Sequence, residues 1–236
     1  MTTSTASANS SASACWSCGA PVAGGHFCSG CGRIQPLAQG ADYFIFFGLP
    51  RKLALDAADL ERRFHGLSWK LHPDNFAGAS EFERELSLER SSQLNDAYRA
   101  LSDPLSRVEY LLALAGMRKE GQQKQQAPPE LLEEVFELNE SLDELRGARR
   151  GGGDSREMAA LRKRLQDARE NFRKKLGEVD GSLEQLSSEW DRALDVTSDG
   201  ASPAQRKLME RMNEALNRRS YIRNLVESVE KELAEA

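Results

Sequence analysis

From Tyr43 onward, apolar residues recur at the three- and four-residue intervals of amphipathic helices. The segment DYFIFFGL, residues 42–49, predicts one or two helical turns ended by Gly48. Asp56 reads as the N-cap of the next helix, with Asp59 as an imperfect capping-box partner. Leu60, Phe64, Leu67 and Leu71 then form one apolar stripe, and Arg62, Arg63 and Lys70 lie off it. A further helix is expected from Glu81 to Leu101, with Leu86, Leu94, Ala97, Tyr98 and Leu101 in the core. Pro104 opens another, closed by Gly116. Between the first two long helices stands His72-Pro73-Asp74. Proline lacks a backbone donor and drives the residue before it out of the α region, so this tripeptide is a loop.

Past a polar connector, GMRKEGQQKQQAPP (116–129), the pattern predicts three more helices. Leu131, Val135, Leu138, Leu142 and Leu145 mark the first, which the loop RGARRGGGD (146–154) is expected to end. Leu161, Leu165, Ala168, Phe172, Val179, Leu183, Leu186, Trp190 and Leu194 mark the second, with Gly177 and Gly181 as a candidate kink. TSDGASP (197–203) separates it from the third, marked by Leu208, Met212, Ala215, Ile222, Leu225, Val229 and Leu233. Three stripes of matched length imply an antiparallel three-helix bundle. At about 100° per residue, Leu132 and Phe136 point away from the core stripe. Glu133, Glu137, Glu140 and Glu144 lie beside them, and Tyr221 falls outside the stripe of the last helix. The expected fold is all-α, with a helical hairpin ahead of a bundle.

Composition narrows the possible functions. The 236 residues carry a net charge of −5, which disfavours a nucleic-acid-binding domain, and residues 1–32 contain no Lys or Arg. Nothing approaches the roughly 20 apolar residues of a membrane span. The Ser/Thr/Ala-rich first fourteen residues lack both the apolar core of a secretory signal and the arginines of a mitochondrial leader. They are expected to be a disordered tail, in a protein of the reducing cytoplasm, or of the mitochondrial matrix if the source is eukaryotic.

All four cysteines fall at positions 15–31, as C-x2-C-x9-C-x2-C. Cys15, Cys18, Cys28 and Cys31 can supply four thiolates to one tetrahedral ion, and Gly19 and Gly32 ease the tight turn after each pair. One structural Zn2+ per chain is expected, with folding of the module coupled to metal binding. An iron–sulfur cluster is the rival occupant, since soft thiolates also suit iron. A pair of disulfides, or a redox CxxC, suits a chain with no export signal less well. His26 reads as a loop residue, because four thiolates already complete the shell.

An HPD loop between antiparallel helices, with bases on the first, resembles a J-domain. DYFIFFGL, HPDNF, LNDAYRALSDPLSRVEYLLALAG and PPELLEEVFELNESLDEL together resemble the HscB (Hsc20) family, co-chaperones of iron–sulfur cluster biogenesis. CWSCG…FCSGCGRIQP resembles the four-cysteine extension of some members. The resemblance implies that His72, Pro73 and Asp74 contact an HscA/DnaK-type ATPase chaperone and trigger ATP hydrolysis, with Arg62, Arg63 and Lys70 facing an acidic surface. It implies that an IscU-type scaffold docks on Leu132, Phe136, Glu137, Glu140 and Glu144, with Tyr221 at the aromatic position of the last helix. Two positions depart from the family pattern: Asn75 stands where lysine is frequent, and Glu133 where methionine is common.

The implied organisation is a tail over 1–14, a tetracysteine zinc module over 15–36, a J-domain over 41–116, a linker over 117–129, and a three-helix scaffold-binding domain over 130–236. The chain is expected to be a monomer or weak dimer, to bind neither nucleic acid nor membrane, and to catalyse nothing itself. A general J-protein for unfolded clients would carry a Gly/Phe-rich linker and β-rich client domains, which this sequence lacks. A zinc-ribbon nucleic-acid binder would want a basic knuckle.

Overall fold

A computed structural model describes residues 13–22, 24–38, 40–118, 128–152, 154–194 and 202–235. Residues 1–12 of the expected tail, 119–127 of the connector and 197–201 of TSDGASP lie outside them. The chain divides into two compact units, Met1–Tyr110 and Leu111–Ala236.

The first unit opens with a two-stranded antiparallel pairing of β1 (Ser13–Ala14) and β2 (Pro21–Val22). Helix α1 (Tyr43–Phe47) is capped by Asp42, whose carboxylate accepts from the Ile45 amide at 2.8 Å, and it ends at Gly48 with φ of 63°. Helix α2 (Ala57–Leu71) starts at Asp56, which accepts from the amides of Ala58 and Asp59. The expected capping box with Asp59 does not form. An aspartate is one methylene short of the usual glutamate, and this one is turned to Arg62 and Arg63 instead. Complete capping boxes occur at two S-x-x-E/Q sites that the reading of the sequence passed over: Ser80/Glu83 opens α3 (Glu81–Ser102), and Ser202/Gln205 opens the last helix.

Phe44, Phe46, Phe47, Leu60, Leu71, Leu86, Leu94, Ala97 and Leu101 form one core, and Ile34 from the cysteine module joins it fully buried. Phe64 and Tyr98 are half-buried and stack at its margin, 4.3 Å between centroids. Helix α4 (Pro104–Leu114) follows, with Gly116 at φ of 69° behind it. Buried Arg107 fastens its start by donating to the carbonyls of Leu101 and Leu53.

The second unit is a helical bundle of α5 (Leu132–Gly151), α6 (Ser155–Leu194) and α7 (Pro203–Ala234). Ion pairs give its register. Asp180–Arg219 and Glu189–Arg211 run α6 antiparallel to α7, while Glu134–Lys175 and Glu144–Arg164 run α5 antiparallel to α6. The helices are not of matched length: 20, 40 and 32 residues, so α5 covers only part of the long pair.

Two further expectations need correcting. The predicted loop over 146–154 is helix as far as Gly151, and only then turns at Gly152 with φ of 67°. Arg146 and Arg149 hold this last stretch by bracketing the buried Glu232 of α7, with Arg146 at 2.5 Å. The Arg146 hydrogen bond above all, with the charges of Arg146 and Arg149, outweighs burial and keeps the Glu232 carboxyl below its ordinary pKa. The core face of α7 is also broader than its predicted stripe. Met209, Leu216 and Val226 are buried beside Met212, Ile222 and Val229, whereas Leu208, Ala215, Leu225 and Leu233 are only half-buried. A helix flanked by two neighbours buries a wider arc than one apolar stripe describes. Helix α6 runs through Gly177 and Gly181 without interruption. Among the described residues, no helix is long and apolar enough to cross a membrane.

Candidate functional site

The cysteine module consists of two near-identical turns. In each, the amide of the glycine after the CxxC pair donates to the carbonyl of its first cysteine: Gly19 to Cys15 and Gly32 to Cys28, both at 2.9 Å. Positive φ of 74° and 71° at these glycines closes the turns. Amides of Ser17 and Cys18 point at the Cys15 sulfur, and that of Gly30 at the Cys28 sulfur. All four Sγ atoms lie within 4.8 Å of one another, and the Cys15–Cys31 and Cys18–Cys28 pairs are 3.7 Å apart. The thiols are free, not disulfide-bonded. A tetrahedron with metal–sulfur bonds of about 2.3 Å has edges of about 3.8 Å, so the donor set fits a single four-coordinate ion.

Electrostatics agree with that fit. Burial works against the Cys15 thiolate, but the amides of Cys18 and Ser17 outweigh it and bring Cys15 down to about 6. Cys18 is pushed the other way, to about 12: the Ala20 amide favours its thiolate, yet the adjacent sulfurs of Cys31 and Cys15 prevail. Thiols this crowded cannot all ionise without a cation among them. His26 is no ligand, in line with its reading as a loop residue. Its Nε2 donates to the Phe46 carbonyl at 2.8 Å and its ring lies edge-on to Phe46, so it docks the module on α1.

The His72-Pro73-Asp74 turn is presented by three supports. His72 leaves α2 with φ −59° and ψ 130°, and Pro73–Phe76 forms a single 3-10 turn. The His72 Nδ1 accepts from the Asp74 amide at 3.3 Å, and the His72 and Asp74 side chains remain 56% and 90% exposed. Below them, the hydroxyls of Ser87 and Ser91 on α3 donate to the Leu71 carbonyl at 2.7 and 3.0 Å, so the end of α2 is tied to α3. Asn75, the departure from lysine, donates through Nδ2 to the Trp69 carbonyl at 2.6 Å. It exchanges a charge for a cap on α2.

Of the predicted bases, Lys70 is exposed, while Arg62 and Arg63 both pair with Asp59 at 3.0 and 2.8 Å. Arg63 also donates to the Phe47 carbonyl at 3.1 Å, so it helps hold α1 against α2. These hydrogen bonds, Arg63's above all, keep Asp59 below the usual carboxylate range.

On the bundle, Leu132 and Phe136 sit one turn apart on α5, 54% and 72% exposed. Glu133, Glu137, Glu140 and Glu144 are exposed on the same helix, with Glu144 3.5 Å from Arg164. Tyr221 is only half-buried. The Glu130–Arg218 ion pair, three residues before it on α7, sets it level with the first turn of α5. Val135, expected in the core, is half-buried.

Sequence reasoning passed over Trp69, which is 79% exposed one turn before His72. The signal was available: two residues from both Leu67 and Leu71, it lies opposite the α2 stripe. Asn75, Ser87 and Ser91 gave no such signal, because their roles depend on partners elsewhere in the fold.

An exposed His-Pro-Asp turn braced between two antiparallel helices, ahead of a separate helical bundle, defines a J-domain co-chaperone architecture. No family model matches the chain. It is 43% identical over 104 residues to a co-chaperone protein HscB homolog of Vibrio vulnificus, covering 44% of this chain and 61% of that protein. With the HscB homolog of Bordetella avium it shares 38% identity over 138 residues, 58% of this chain and 79% of the relative. The crystal structure of human co-chaperone protein HscB superposes with a TM-score of 0.58 at 26% identity, covering 92% of this chain and 97% of the other. The chain belongs to the HscB co-chaperone family.

Proposed function

We propose that this protein is an adaptor in iron–sulfur cluster biogenesis. Through His72, Pro73 and Asp74 it stimulates ATP hydrolysis by an HscA/DnaK-type chaperone, with Arg62, Arg63 and Lys70 steering the encounter. Through Leu132, Phe136, Glu137, Glu140, Glu144 and Tyr221 it holds an IscU-type scaffold. The J-domain occupies residues 41–116 and the scaffold-binding domain residues 130–236. The observation that carries this reading is the braced, exposed turn at 72–74, which offers a ring and a carboxylate at little ordering cost on binding. Family membership and the exposed Leu132/Phe136 pair, flanked by carboxylates, support it.

The test is steady-state ATP turnover by the chaperone, with scaffold present and this protein added or omitted. The reading expects turnover to rise with the protein and rise further with scaffold. Equal turnover in all arms overturns it.

The four-thiolate centre is assigned a structural zinc. Protein purified without added metal is expected to contain about one zinc per chain. Iron with visible absorbance would replace this assignment by a cluster.

A further inference from the structure

We propose that Trp16, Arg33 and Glu83 form a clasp through which occupancy of the four-thiolate centre positions the start of α3 and, with it, the His72–Asp74 turn. The inference rests on the reading of that turn as the chaperone contact. Its physical content concerns the chain alone.

Apart from Ile34 and Phe27, which pack on the α1–α3 core, the module has little burial of its own. Its separate apolar cluster is Cys15, Val22 and Cys28, with Ala20 beside it, and two of these are metal ligands. Without an ion, the two turns are joined chiefly by crowded thiols, so their order is coupled to the metal. What the ordered module presents is specific. Trp16, between the first two ligands, donates from Nε1 to the Ile34 carbonyl at 2.7 Å. It meets Phe82 of α3 edge-on at 5.0 Å. Arg33, two residues past the last ligand, lies over the Trp16 ring at 5.5 Å and donates from Nη1 to Glu83 Oε2 at 3.0 Å.

Glu83 is the capping-box residue of α3. The same Oε2 accepts from the Ser80 hydroxyl at 2.9 Å and the Ser80 amide at 3.3 Å. One buried carboxylate oxygen thus joins the module to the first turn of α3, which only four residues separate from the 3-10 turn that carries Pro73 and Asp74. Ala79, in the intervening loop, donates back to the Phe76 carbonyl at 2.9 Å. The path from metal to turn is short and made of contacts that an unfolded module loses together. Trp16, Arg33 and Glu83 are positioning residues, and none is expected to touch the chaperone.

The test is amide hydrogen exchange of the full chain, followed by mass spectrometry, zinc-loaded and after removal of zinc by a chelator. Exchange over residues 72–87 is expected to quicken about two- to fivefold on metal removal, the upper part of the range for a half-exposed ion pair. The α6–α7 pair is expected to be unaffected. Arg33→Ala should keep its zinc yet exchange over 72–87 as the metal-free protein does, and Arg33→Lys should restore most of the protection. Glu83→Gln repeats the test from the far side without touching the module, and decides the matter if Arg33→Ala loses its zinc. Metal-independent exchange over 72–87, or Glu83→Gln protein still slowed by zinc to the wild-type extent, overturns the clasp. No chaperone is present in these measurements, so either result leaves the co-chaperone reading to its own ATPase test.

Discussion

His72→Gln is expected to abolish stimulation of chaperone ATP turnover, a loss of at least about tenfold at equal protein, and to leave the thermal melting curve unchanged. The imidazole is 56% exposed and is no part of the core. Among the described residues, the ring's hydrogen-bond and ion-pair partners are the Asp74 amide at 3.3 Å and the Asp74 carboxylate at 3.5 Å, both within the turn itself. Surface substitutions of this kind stay within about 0.5 kcal/mol of wild-type stability. The turn is held by Pro73 and by the Ser87, Ser91 and Asn75 bonds beneath it, none of which uses the ring. Removing a central contact of a small interface costs about 2 kcal/mol or more, which is about thirtyfold in affinity. Function and folding should therefore separate cleanly. Stimulation at the wild-type level by a well-folded His72→Gln protein contradicts the assignment of this turn.

The second large effect is on the bundle. Leu132→Ala and Phe136→Ala are each expected to weaken scaffold binding by about 2 kcal/mol, about thirtyfold, with no loss of helicity. Both side chains stand more than half in water, so truncating them opens no cavity. Leu138, two residues on and 2% exposed, provides the contrast. Leu138→Ala is expected to cost about 2–5 kcal/mol of stability instead. Titration calorimetry against the scaffold, with circular dichroism on the same samples, checks both. Unchanged affinity in the Phe136→Ala protein sinks this face as the docking surface. Glu137→Gln and Glu140→Gln should act more mildly, and mainly on the association rate and its salt dependence.

Much of this was legible in the sequence, for reasons that differ by element. Helices α1, α2 and α4 were readable because each carries a strong local stop or start, Gly48, Asp56 or Pro104, and α3 because its apolar stripe is clear. The four thiolates were readable because ligand spacing is itself the geometry. The end of α5 was not: Arg146 to Gly152 looks like a loop until Glu232, 86 residues from Arg146, supplies the charge that holds it. The face of α7 was mistaken because a stripe count assumes one neighbour and this helix has two. The supports of the 72–74 turn and the docking of the cysteine module were hidden for the same reason. Ser87, Ser91, His26 and Arg33 act on groups 16 to 50 residues away, where no local pattern reaches.

The central claim is that two proteins can be held at once, by separate faces of one chain. Analytical ultracentrifugation of this protein with scaffold and ATP-loaded chaperone tests it most directly. A complex containing all three components is expected. His72→Gln is expected to strip out only the chaperone and Phe136→Ala only the scaffold. Chaperone and scaffold competing for the protein, so that adding one displaces the other, would contradict it.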